Sequence, residues 1–288
     1  MTTLADTRAP SATQERTPLW RPFRIHAELD LKDFWRSPIQ LAFIVAMPVM
    51  FYVIFGFAMR DGAAAEVTHG ANTLTQANLS FAGVLVFALL SVVLANVAIS
   101  LAIKRHHGLF KRFRTTPVSP VSVMGGFLVN TLVSMFIVFG AVTAIGVLGL
   151  GVQLPTDRLL TLGAVSLLGF LAIAPLGVAL SLVPPNADSA VPLVNAVFFP
   201  VAFMSGAFVA IPFPGPVQQV IDLLPGKPLM DLFTPALAGT GPVWDSGAAL
   251  VLVAWGIFGT AASVAFFSWA SESEPRTFSR LRATGEES

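Results

Sequence analysis

Lys104, Arg105, Lys111, Arg112 and Arg114 place five cations within eleven residues, and the stretch that holds them, 104–117, lies between two long uncharged apolar runs. Cations at that density can pair with carboxylates on another protein or with anionic headgroups. They cannot sit in hydrocarbon, where each costs roughly 2.5–3.5 kcal/mol at a helix centre. His106 and His107 fall in the same stretch. Adjacent residues cannot share one helical face, and the three- or four-residue spacing of a helical metal pair is missing, so both read as solvated loop residues.

Other chemistries fail on residue type. The chain has no cysteine, which excludes disulfides, thiolate catalysis and Cys-ligated metals. All four histidines, His26, His69, His106 and His107, lie outside the apolar runs, so no intramembrane Ser-His pair or histidine metal site can form within one chain. Gly226-Lys227 is the nearest approach to a P-loop, but Pro228 follows it and the earlier glycine is absent. The apolar runs contain no Asp, Glu, Lys or Arg to bind a driving ion. If this protein moves a solute uphill, the energy comes from another polypeptide. Nothing points to nucleic acid.

The elements that position the basic stretch are membrane spans. The 288 residues are 55% hydrophobic and 11% charged, with a mean hydropathy of +0.75, against about 25% charge in an ordinary soluble domain. A span needs about 20 apolar residues. Six segments supply that: 39–59, 79–103, 121–152, 159–183, 191–211 and 247–270. The expected fold is all-α and polytopic, with six transmembrane helices in a domain covering 39–270. Of the 17 Lys and Arg, only Arg60, Arg158 and Lys227 then fall on the side opposite the termini. By the positive-inside rule both termini are cytoplasmic, as is the basic stretch.

Four further segments complete the organisation. Residues 1–18 are polar, lack the apolar stretch of a secretory signal, and read as a disordered cytoplasmic tail; 271–288 form a second one. Across 19–38, Trp20, Phe23, Ala27, Leu31, Phe34 and Trp35 recur at spacings of three and four, the pattern of an amphipathic helix lying in the cytoplasmic interface. Prolines at 212, 214, 216, 225, 228, 235 and 242 forbid one continuous helix in 212–246, yet 217–224 and 229–238 are too apolar for a solvated loop. Two short helices dipping in from the outer side, a re-entrant or outer hairpin packed on the span ends, reconcile these facts.

Within the spans the polar residues are neutral: Ser91, Asn96 and Ser100 in the second, Asn130, Thr131, Ser134 and Thr143 in the third, Asn195 and Ser205 in the fifth. Such residues either hydrogen-bond between helices or line a solute path. Ser91, Asn96, Asn130, Ser134 and Asn195 are the candidates for a path, Asn96 and Asn130 above all, because an unpaired amide is the most expensive group to leave in lipid. Pro48, Pro175, Pro192 and Pro200 are expected to bend spans one, four and five.

The run His107-Gly108-Leu109-Phe110-Lys111-Arg112-Phe113-Arg114-Thr115-Thr116-Pro117-Val118-Ser119-Pro120 resembles the membrane subunits of type-2 ABC exporters. After their second span these permeases carry an acidic residue and Gly, a Lys/Arg-rich stretch and Thr-Pro. Six spans, a preceding amphipathic helix and Leu223-Leu224-Pro225 before the sixth extend the likeness over about 19–270. The chain departs from the pattern at 106 and 107, where His replaces the usual Glu.

The resemblance implies a non-catalytic permease of an exporter for lipid-like, drug-like or glycan-type substrates in a bacterial-type plasma membrane. It implies two copies of a separate ATP-binding subunit, a second permease that is identical or homologous, and membrane lipids as neighbours. ATP and Mg belong to the partner, with no cofactor on this chain. It also implies an ATPase-coupling loop in which Gly108 permits a tight turn, Lys111, Arg112 and Arg114 face acidic groups or headgroups, and Leu109, Thr116 and Pro117 complete the element. The competing readings are a small secondary transporter or channel without ATP linkage, and a membrane assembly factor.

Overall fold

Backbone amides in hydrocarbon must be satisfied within their own segment, so uncharged apolar runs of this length fold as helices. A computed structural model describes residues 38–58, 62, 64–69, 71–108, 120–208, 214–238 and 240–266. The expected interfacial helix up to residue 37 and both tails lie outside the described residues.

The chain begins with α1 (Pro38–Ala58), followed by an antiparallel hairpin, β1 (Glu66–His69) and β2 (Asn72–Thr75), with Glu66 opposite Thr75 and His69 opposite Asn72. A single long element follows in three pieces: α2 (Gln76–Leu89), a π-helical turn at Leu90–Ala95, and α3 (Asn96–His106). Then come α4 (Pro120–Gly149), a short 3₁₀ turn at Thr156–Arg158, α5 (Leu159–Leu180) and α6 (Ala187–Met204). Two short helices, α7 (Gly215–Leu223) and α8 (Gly226–Leu237), precede α9 (Ser246–Phe266).

Among the described residues, five helices are long and apolar enough to cross a membrane: Gln76–His106, Val123–Gly149, Thr156–Leu180, Ala187–Met204 and Ser246–Phe266. The described apolar part of α1, Val45–Gly56, is shorter. The third span starts and ends close to its expected limits, whereas the fifth stops at Met204, where Gly206 turns the chain with φ +78°. The four expected prolines lie inside α1, α5 and α6.

Gln76–His106 is the hub. In its most apolar stretch 78% of the residues are buried, compared with 11% for Ser246–Phe266, which packs along α5 at the periphery. The phenyl ring of Phe87 lies 4.8 Å from Phe51 on α1, 5.4 Å from Phe198 on α6 and 5.0 Å from Phe208 beyond it, so one ring of the hub anchors three neighbours. Glycine sets the closest approaches. A Cβ on Gly83 would lie 1.7 Å from the Ala207 carbonyl oxygen, and one on Gly177 of α5 would lie 2.8 Å from the Val93 carbonyl oxygen in the π turn.

Two short helices stand where the hairpin was expected, and α8 is more deeply buried in the protein than its prolines suggest. Leu229, Met230, Leu232, Phe233 and Leu237 are all but inaccessible, and α8 packs against α2, α5 and α9. The β-hairpin was not anticipated. β1 alternates exposed and half-buried positions and β2 buried and half-buried ones, over only four residues each, a signal too short to separate from an ordinary loop.

Candidate functional site

The bundle has two ends that carry polar chemistry. At one end lies the start of the basic stretch. Lys104, Arg105 and His106 form the last turn of α3 instead of a loop, a place where the negative end of the helix dipole favours cations. Gly108 follows with φ +68°, a conformation that favours glycine, and donates its N–H to the Arg105 carbonyl at 3.0 Å. Leu109, Lys111, Arg112, Arg114, Thr116 and Pro117 lie outside the described residues.

The first two cations of the stretch face neighbouring helices. The Lys104 ammonium sits 4.5 Å from the ring centre of Phe127 on α4. The Arg105 guanidinium donates from Nη2 to the Pro184 carbonyl at 2.7 Å and from Nη1 to the Leu182 carbonyl at 3.5 Å, both in the turn between α5 and α6. That turn is itself held by a capping box, in which Asn186 and Ser189 exchange side-chain and backbone hydrogen bonds at the start of α6. The end of the hub is therefore tied to α4, α5 and α6 just where the basic stretch begins.

At the opposite end the hairpin, α7 and α8 form a cap over the bundle. Arg158 is buried there, 8% exposed, donating from Nη1 to the Pro235 carbonyl at 2.9 Å and from Nη2 to the Gly241 carbonyl at 3.3 Å. Asp231 on α8 pairs with Lys227 one turn earlier and lies 3.5 Å from His69 Nε2 on β1, linking cap and hairpin. Burial pushes the Asp231 carboxyl up, but hydrogen bonds and charge from His69 and Lys227 outweigh it and hold the group below the ordinary carboxylate range. A cavity of about 540 Å³ opens beside this cluster, bordered by Asn72 and Trp244.

The polar residues within the spans are distributed along three helices. Ser91 lies in the π turn, half-buried, and Asn96 begins α3, accepting from Ser100 Oγ at 3.3 Å. On α4, Ser134 Oγ donates to the Asn130 carbonyl at 2.8 Å and Thr131 Oγ1 to the Phe127 carbonyl at 3.0 Å. These bonds run within their own helices. A hydroxyl can always reach the carbonyl one turn back, without waiting for a neighbour. Asn130 Oδ1 is buried with no partner, and Asn195 is half-buried on α6. Among the described residues no hydrogen bond joins Asn96, Asn130 and Asn195 to one another.

Sequence reasoning missed Arg105 as a tie, Arg158 as a buried clasp, and the π turn. Arg105 was hidden among four other cations, and Arg158 looked like a solvated topology marker. A lone cation abutting an apolar run, as in Asp157-Arg158-Leu159, was the available hint for the second.

Long apolar helices around a buried hub, with Asp, Glu, Lys and Arg among the described residues kept to the two ends, define a polytopic α-helical membrane protein. Residues 23–237 match the family of ABC-2 type transporters, and the chain belongs to that family. The matched segment runs from before α1 to the end of α8 and includes the whole basic stretch. The chain is also 28% identical, over 251 residues that make up 86% of it and 83% of the relative, to the daunorubicin resistance ABC transporter permease protein of Streptomyces coeruleorubidus.

Proposed function

We propose that this chain is the permease subunit of an ATP-driven exporter, with six spans, both termini and the basic stretch in the cytoplasm, and the cap on the outer side of a bacterial-type plasma membrane. Two such permeases and two copies of a separate ATP-binding subunit make the working unit, and the permease itself makes and breaks no covalent bond. The observation that carries this reading is the family match running unbroken through the basic stretch. The residues support it, because the spans hold no ionisable group that could bind a driving ion.

Residues 108–117 would be the contact with the ATP-binding subunit. The tie of Lys104 to α4 supports a role in moving α3 and α4 together, since a rigid junction turns a push on the stretch into a tilt of both helices. The path between permeases would include Ser91, Asn96, Asn130, Ser134 and Asn195. Asn130 is best supported, because a buried amide oxygen without a partner is costly and a passing donor would satisfy it.

An amphipathic, drug-like or lipid-like substrate fits uncharged spans that offer no counter-ion, and the named activity of the daunorubicin resistance relative agrees with it; a glycan has less support. Co-expression with an ATP-binding subunit and purification through a tag on the permease tests the assignment. Recovery of a complex whose ATP hydrolysis responds to Arg112→Glu supports it, and recovery of the permease alone under every detergent tried contradicts it.

A further inference from the structure

Arg105 is half-buried on the last turn of α3 and reaches out of its own helix to the chain that follows α5. The last carbonyls of α5 are already taken by the N–H groups of Ser181, Leu182 and Val183. Arg105 instead offers its guanidinium fork, from a different helix, to carbonyls of the turn just beyond the Ser181 cap. The acceptors are Leu182 and Pro184, and α6 begins within three residues of the second.

Two neighbouring features make this contact mechanical as well as stabilising. The hub is π-helical at Leu90–Ala95, between α2 and α3, and interruptions of this kind mark points where a helix can redirect its axis. Gly177 of α5 packs on that same turn so closely that a Cβ would lie 2.8 Å from the Val93 and 3.1 Å from the Leu94 carbonyl oxygens. The end of α5 and the turn after it therefore touch the hub at two levels, by Gly177 at the π turn and by Arg105 at the end of α3.

We propose that Arg105 is a positioning residue that pins α3 to the α5–α6 turn, so that a displacement delivered through 108–117 moves α3, the end of α5 and the start of α6 as one body about the π turn. This rests on the permease reading above and adds to it a route by which spans four and five, which have no direct connection to the basic stretch, are driven. Lysine would keep the charge but not the planar fork, so it would hold the turn less firmly.

The chain has no cysteine, so single-site labels can be placed without background. Spin labels at His106→Cys and Asp188→Cys, both exposed positions, report the distance across the pin in the intact complex with its ATP-binding subunit. The expected result is one narrow distance distribution, the same without nucleotide and after ATP–vanadate trapping. Arg105→Ala should make the distance depend on nucleotide, and Arg105→Lys should broaden it less, with ATP hydrolysis retained in both.

A distance that already changes with nucleotide when Arg105 is intact overturns the proposal, and so does an Arg105→Ala complex that behaves as the intact one does. Failure of both variants to insert assigns Arg105 a folding role alone and overturns it too. Absence of any complex with an ATP-binding subunit overturns the permease reading, and the pin with it.

Discussion

Asn78 and Gln153 close a reciprocal pair across 75 residues of chain: Asn78 Nδ2 donates to the Gln153 carbonyl at 2.8 Å, and the Gln153 N–H donates to Asn78 Oδ1 at 3.0 Å. The second proton on Nδ2 goes to the Leu237 carbonyl at 2.9 Å. One buried carboxamide thus satisfies three backbone groups and joins the start of α2, the chain after α4 and the end of α8. Asn78→Ala leaves those groups buried without partners, at about 1–3 kcal/mol for each that water does not reach. A lowered thermal midpoint in detergent is expected, and an unchanged midpoint would show that the cap does not depend on this residue.

Arg158 holds the neighbouring carbonyl, Pro235, two residues before Leu237. Because both side chains clasp the same end of α8, losing one should loosen the other. Arg158→Ala combined with Asn78→Ala is expected to destabilise by less than the sum of the single variants. Strict additivity in thermal unfolding would mean that the two clasps act independently.

Asp231 sets the acid limit of the cap. Its folded carboxyl titrates below the ordinary carboxylate range, so the stability it contributes is fully present above that range and is lost as pH falls through the folded value. Proteolysis of the hairpin and cap should rise below about pH 4. Asp231→Asn should be more susceptible near neutrality and show a flatter dependence in acid; parallel curves for the two proteins would contradict this.

Glycine makes a paired test of packing. Gly83→Ala forces a methyl into the Ala207 carbonyl, whereas a Cβ at Gly163 meets nothing within 4 Å. Overpacking a buried contact typically costs about 1–3 kcal/mol, while Gly→Ala in an open helix position gains roughly 1 kcal/mol. Opposite shifts in thermal midpoint are expected, and shifts of the same sign would contradict the close approach of α2 to the chain after α6.

The spans were legible because hydrocarbon imposes one rule on every residue in them: long runs without charge must be helical, and such runs stand out in any window. The pair of short helices before α9 was legible for a related reason, since Pro225 and Pro228 break a stretch that Leu223 and Leu229 make too apolar to expose. What stayed hidden depends on meetings between distant residues. Nothing near Arg158 in the chain announces Pro235, and nothing near Arg105 announces Pro184, because a carbonyl is present at every position and has no sequence signature. The π turn is hidden likewise: Leu90–Ala95 is ordinary apolar sequence, and its geometry is accompanied by the glycine at 177 that packs on it.

The central claim is that work enters this chain from an ATP-binding partner through the basic stretch and leaves as outward transport. Inside-out vesicles containing the permease and its ATP-binding subunit, supplied with a panel of fluorescent amphipathic compounds, measure that most directly. ATP should drive accumulation in the lumen, and Arg112→Glu should abolish it while leaving the permease inserted. Accumulation that proceeds without ATP, or that Arg112→Glu leaves untouched, would contradict the account.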